Sequence, residues 1–154
     1  YSFIIETGRS IFANSAVLLT RVLYVKHSSH CDFVGVDAGF SDLIRPVLYQ
    51  AFHEIEPVVL AHGRSQVAVD LVGPICESAD CFAHKRLLPE MKRGELVVLH
   101  SAGAYGFSMA SNYNTRPRPT EVLVDGSRTT VIRPRESVED LFSTELGCLN
   151  TREI

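Results

Sequence analysis

No stretch of these 154 residues is apolar for long enough to cross a bilayer as a helix; the longest candidate, residues 16–25, is broken by Thr20 and Arg21. There is no charged, apolar and small-residue succession of a secretory leader, and the first residue is Tyr1 rather than Met, which we read as an incomplete chain. Positive charge is not in excess: the net charge of −3 gives no electrostatic reason to expect a nucleic acid or a membrane surface as partner. The four cysteines, Cys31, Cys76, Cys81 and Cys148, form no C-x-x-C pair, and Cys76 and Cys81 lack a zinc-site spacing. No metal is expected, and the unpatterned thiols suit the reducing cytoplasm. The six histidines (His27, His30, His53, His62, His84 and His100) make no H-x-x-x-H or H-E-x-x-H pattern, and no G-x-S-x-G nucleophile turn is present. They read as scattered histidines without a joint role. Arg116-Pro117-Arg118-Pro119 has no aromatic platform or wider basic surface beside it, so it reads as a rigid loop. Internal repeats and low-complexity tracts are absent.

What is present is enough apolar sequence for a core. Hydrophobic residues make up 45% and charged residues 21%, the balance of a folded domain and not of a disordered one. Short strands are expected at residues 1–5, through Val22, Tyr24 and Lys26, at 33–37, 58–61, 66–72 and 96–99. Val67, Val69 and Leu71 alternate most clearly. A hairpin is expected from 120–124 and 129–132 around Asp125-Gly126. Helix-compatible stretches are residues 10–19 and 44–55, the latter with Asp42 as N-cap, Pro46 in its first turn and Pro57 as its stop. Ser137-Val138-Glu139-Asp140 resembles a capping box opening a last short helix. The fold class is therefore mainly β with a few helices, a barrel or sandwich with appended helices.

Four segments are richer than the rest. Glu6-Thr7-Gly8-Arg9 is a glycine turn after a short apolar run, a way to turn backbone N–H groups toward an anion. Asp37-Ala38-Gly39 leads to Asp42-Leu43-Ile44-Arg45-Pro46-Val47-Leu48-Tyr49, in which Arg45 and Tyr49 share a helical face. Gly73-Pro74-Ile75-Cys76-Glu77-Ser78 and Ala102-Gly103-Ala104-Tyr105-Gly106, running on to Met109-Ala110-Ser111-Asn112-Tyr113-Asn114, complete the set. In this order and spacing they resemble the diaminopimelate decarboxylases, among the fold-type III pyridoxal-phosphate (PLP) decarboxylases, from Glu6 to about Leu141.

The resemblance implies a PLP-binding (β/α)8 barrel followed by a C-terminal β-barrel. Residues 1–26 would then be the last strand and helix of the first barrel, and 27–154 the second domain. The cofactor lysine of the family lies upstream; the three lysines here, Lys26, Lys85 and Lys92, stand in no such context, so this chain alone is expected to be inactive. Glu6, Thr7, Gly8 and Arg9 would bind the PLP phosphate, with Thr7 where the family usually has proline. Tyr105 would touch both phosphate and substrate. Arg9, Arg45, Tyr49 and Glu77 would contact the substrate, the two guanidiniums suiting its distal carboxylate and Glu77 its distal ammonium. Cys76 would be the proton donor to the substrate's Cα, from a loop that in the family reaches into the partner subunit's site of a homodimer.

The implied activity is decarboxylation of meso-2,6-diaminopimelate to L-lysine and CO2 in the cytoplasm. Two rivals stand beside it. One is a related decarboxylase acting on ornithine, arginine, carboxynorspermidine or a carrier-bound amino acid. The other is a non-catalytic interaction module pairing with a full-length decarboxylase. Cys76, Glu77 and Tyr105 argue against the module.

Overall fold

The computed structural model describes residues 1–29, 31–59 and 63–150. By internal contacts the chain divides into two units, Tyr1–Ala110 and Ser111–Ile154.

The first unit is built on a six-stranded sheet. A short helix α1 (Gly8–Phe12) and a 3-10 turn (Ala13–Ser15) precede β1 (Leu18–Lys26) and β2 (Asp32–Val36). Helix α2 (Arg45–Tyr49) is followed by β3 (Ile55–Pro57), β4 (Gln66–Val72), β5 (Cys81–Pro89) and β6 (Leu96–Leu99). The strand order is β3-β6-β1-β2-β4-β5, antiparallel except for β2 with β4. The two end strands approach each other. Arg86 Nη1 on β5 donates to the carbonyl of His53 just ahead of β3, at 2.5 Å, so the sheet curls almost into a closed barrel.

Alternation decides what fills it. Val34 and Val36, Val69 and Leu71, and Val97 and Leu99 stand two residues apart on their strands and are all buried. Val22 and Leu43 are fully buried with them. Each such side chain contributes about 1.5–3 kcal/mol on leaving water. Thr20 is one of the buried polar residues: its Oγ1 donates to Asp37 Oδ1 at 2.5 Å and accepts from Ala38 N at 3.0 Å, fixing the turn that leads to α2.

Several expectations are corrected. Residues 1–5 form no strand, and Tyr1, Phe3, Ile4 and Ile5 are exposed; a strand needs a paired neighbour, and none of the described strands pairs with it. The helix expected over 10–19 ends at Phe12, because Leu18 and Leu19 are already paired with Leu99 and Val98. β1 lies between β6 and β2 in the sheet. The helix expected over 44–55 stops at Tyr49, where Gln50 turns left-handed (φ 52°) and Ala51 N closes back on Arg45 O. Pro46 does stand in its first turn, but the Asp42 carboxylate accepts instead from Gly39 N. Pro57 ends β3, an end strand of the sheet paired only with β6, where a missing N–H is tolerated. Of the strand expected at 58–61, Val58 and Val59 lie in a bend, and Leu60 and Ala61 fall outside the described residues.

The second unit holds the hairpin β7 (Glu121–Asp125) and β8 (Arg128–Arg133), with Gly126 left-handed in its turn as the dipeptide predicts. Glu136 accepts from Arg118 N and Nε at 2.8 and 2.7 Å, from Arg118 Nη2, and from Asn112 Nδ2 at 2.6 Å. The capping box is reciprocal: Asp140 N donates to Ser137 Oγ, and Ser137 N to Asp140 Oδ2. It opens a 3-10 turn (Glu139–Phe142) leading into α3 (Ser143–Asn150). No described helix is long and apolar enough to cross a membrane.

Candidate active site

The loop carrying Tyr105 is pinned to the segment after α1. Ala102 N donates to Ala16 O and Gly103 N to Ala13 O, both at 2.9 Å. Ser101 Oγ donates to Asn14 Oδ1 at 2.8 Å. The approach is too close for side chains: a Cβ at Gly103 would sit 2.1 Å from Phe12 O, and one at Gly106 2.2 Å from Ala102 O. Tyr105 itself is held left-handed at φ 62°, a conformation that costs a non-glycine residue about 1 kcal/mol or more. This bend brings the Tyr105 hydroxyl to Gly8, where a Cβ would lie 3.4 Å from it. Thr7 precedes α1 and makes no capping side-chain bond, so no side chain of the N-cap takes up the first-turn N–H groups.

Arg45 opens α2 and is buried. Its guanidinium carbon lies 5.4 Å from the Tyr49 ring centroid and 5.5 Å from that of Tyr105. Tyr49 is one helical turn on, as the spacing predicts. Arg9 and Arg45 both line a cavity of about 330 Å³ that also takes in Phe52, His53 and Ser101 and has no carboxylate in its wall. The chemistry of this wall is that of an anion site. A larger concavity of about 510 Å³, bounded by Pro46, Gln50, Phe82, His84 and Arg86, contains none of the residues expected to contact cofactor or substrate.

Cys76 and Glu77 do not line the Arg9–Arg45 cavity. Both are exposed on the loop between β4 and β5. That loop is held by Asp80, buried at 4% exposure, whose two carboxylate oxygens accept from Phe40 N at 2.7 Å and Ile75 N at 2.8 Å. Gly39 and Gly73 make room for it; a Cβ at Gly73 would fall 2.2 Å from the carboxylate. Glu6 is exposed ahead of α1.

Sequence reasoning missed Asp80 and His53. The His53 Nδ1 donates to His100 O at 2.7 Å, so its Nε2 is left as a lone-pair acceptor, buried and without a partner among the described residues. Burial pushes its pKa below the ordinary histidine value and keeps the ring neutral. Nothing in the pattern around Phe52-His53-Glu54 marks it as different from the other histidines. Cys81 is buried, and burial pushes its thiol up to about 11.

The uncapped first turn of α1, the Tyr105 hydroxyl packed against Gly8, and two arginines form a cradle whose donors fit the phosphate and carboxylates of a PLP–amino acid site. The family model "Pyridoxal-dependent decarboxylase, C-terminal sheet domain" matches residues 5–103, and the chain belongs to this family. Its curated relatives include the diaminopimelate decarboxylases of Pseudomonas aeruginosa, 51% identical over 94% of this chain and 34% of the relative, and of Vibrio cholerae, 48% identical over 92% and 34%. The crystal structure of diaminopimelate decarboxylase from Helicobacter pylori complexed with L-lysine superposes with a TM-score of 0.83 at 43% identity, over 91% of this chain and 34% of that one. The chain thus spans about a third of the length of the curated relatives it matches.

Proposed function

We propose that this chain is the C-terminal part of a cytoplasmic diaminopimelate decarboxylase that converts meso-diaminopimelate to L-lysine and CO2 with PLP. The observation that carries the reading is the convergence of Gly8, Arg9, Arg45, Tyr49 and Tyr105 from three separate segments. The one-third coverage supports a (β/α)8 barrel ahead of this chain that brings the cofactor lysine. In that assembly residues before Leu18 pack against the barrel, which accounts for the exposed apolar side chains of Phe3, Ile4 and Ile5, and the sheet domain starts at β1.

Bound PLP supplies the electron sink for loss of CO2. The protein's own share is binding and proton delivery. Glu6, Thr7, Gly8 and Arg9 present the α1 first turn to the phosphate, and the Tyr105 hydroxyl reaches the same group. Arg9 and Arg45 hold the substrate's distal carboxylate through paired hydrogen bonds. Tyr49 and Tyr105 hold the Arg45 guanidinium in place through their ring faces. Glu77 pairs with the distal ammonium. Cys76 delivers the proton to Cα. The exposure of Cys76 and Glu77, away from the Arg9–Arg45 cavity, supports their acting in the site of a second copy in a homodimer.

The test is a fusion of this chain behind the N-terminal barrel of the Pseudomonas aeruginosa relative, assayed with PLP on meso-diaminopimelate, ornithine and arginine. Turnover of meso-diaminopimelate above the other two is expected, and Arg45→Lys should raise KM for it more than tenfold, since an ammonium cannot make the paired bonds. Equal turnover of ornithine would transfer the reading to a related decarboxylase.

A further inference from the structure

Outside that site one group of metal-ligating side chains comes together among the described residues: Asp70, Cys81 and His84. We propose that it binds a zinc ion. In a regular strand Cys81 and His84, three residues apart, would face opposite ways. β5 is not regular. Its pairing with β4 runs Val72↔Cys81, Leu71↔Ala83, Val69↔Arg86, so β5 gains one residue on each side of Ala83. Lys85 stands at φ 44° in the second irregularity. Such bulges re-aim side chains, and here they bring both residues to Asp70, which alternates with the buried Val69 and Leu71 and so points out of the core.

Two of the ligand–ligand distances are those of a coordination shell. Cys81 Sγ lies 3.4 Å from His84 Nδ1, and His84 Nδ1 lies 3.3 Å from Asp70 Oδ2. Zinc–ligand lengths of about 2.0–2.3 Å at tetrahedral angles put neighbouring ligand atoms about 3.3–3.6 Å apart. All three ligand atoms lie within 4.8 Å of one another. The carboxylate is oriented from behind: Oδ1 accepts from Lys85 N at 2.7 Å and from the Cys31 thiol at 3.4 Å, which leaves Oδ2 toward the other two ligands. One thiolate, one imidazole and one carboxylate make a set that selects zinc over magnesium or calcium. A carboxylate and a thiolate also balance the ion's two positive charges. Binding displaces the Cys81 thiol proton to solvent, and a water completes the fourth position. The His84 side chain is 74% exposed, which gives the ion an entry path.

The test uses the purified full-length protein with PLP bound, loaded with zinc, desalted and assayed for metal per chain; cobalt is the spectroscopic probe. The expected result is one zinc retained per chain, with cobalt giving a thiolate charge-transfer band and the intense visible bands of a four-coordinate ion. His84→Ala and Cys81→Ser should each weaken zinc binding at least tenfold and abolish or shift those bands, while Cys148→Ser leaves them unchanged. His84→Ala alters an exposed ring, so it remains decisive if Cys81→Ser fails to fold. No retained zinc in the wild type, or retention unchanged by His84→Ala, overturns the proposal.

Discussion

Asp80→Asn keeps the volume of a buried side chain and exchanges one carboxylate oxygen for an amide. The wild-type oxygens take one backbone N–H each, from Phe40 and from Ile75. Asparagine can satisfy only one of them and turns its NH2 toward the other. A hydrogen bond to a charged group contributes about 1.5–3 kcal/mol, and an orphaned buried donor costs about 1–3 kcal/mol. The expected loss for Asp80→Asn is about 3 kcal/mol, and for Asp80→Ala, which strands both donors, about 3–5 kcal/mol. Against a total stability of about 5–15 kcal/mol this is readily measured. Urea unfolding of the purified protein at pH 7 should give a lower midpoint with an unchanged slope. Because Asp80 holds the Cys76 loop, the assembled enzyme should also lose kcat at least tenfold while its PLP absorbance stays normal. A midpoint shift equivalent to under about 0.5 kcal/mol for Asp80→Asn would refute the anchor.

Two glycines should separate folding from binding. Gly103→Ala drives a Cβ to 2.1 Å from a backbone oxygen and should leave little soluble protein, whereas Gly8→Ala meets only the Tyr105 hydroxyl at 3.4 Å and should fold normally. Its cost should appear in PLP affinity, weakened about tenfold in a cofactor titration. In the second unit, Glu136 is held down to about 2 by its hydrogen bonds from Arg118, then from Asn112. Its folded value is depressed, so the stabilisation is complete above the usual carboxylate range and lost as pH falls from about 4.5 to about 2. Allowing for solvent screening of a partly exposed pair, the step should be about 1–2 kcal/mol in acid unfolding, and absent in Glu136→Gln.

What the sequence revealed follows from which rules are local. β4, β6 and the hairpin were legible because alternation and Asp125-Gly126 act within a few residues. β5 escaped because its two extra residues leave Cys81, Phe82 and Ala83 buried in a row, which matches neither strand nor helix periodicity. α2 was drawn too long because nothing in Gln50 announces a left-handed residue. In the candidate site the resemblance pointed to Arg45 and Tyr49, and their four-residue spacing put both on one helical face. The resemblance pointed to Arg9 and Tyr105, but only the fold puts Tyr105 against Gly8. Asp80 and His53 act through backbone groups far off in sequence, and no spacing encodes that. The Asp70, Cys81 and His84 cluster depends on the register between two strands, which is why cysteine spacing alone gave no metal site.

The most direct test of the central claim is to mix this chain with a separately expressed N-terminal barrel of a diaminopimelate decarboxylase and follow lysine release from meso-diaminopimelate with PLP. No activity from either part alone, and activity on mixing that disappears with Cys76→Ala, is the predicted result. A mixture that associates and binds PLP yet releases no lysine would contradict the account and leave the chain as an interaction module.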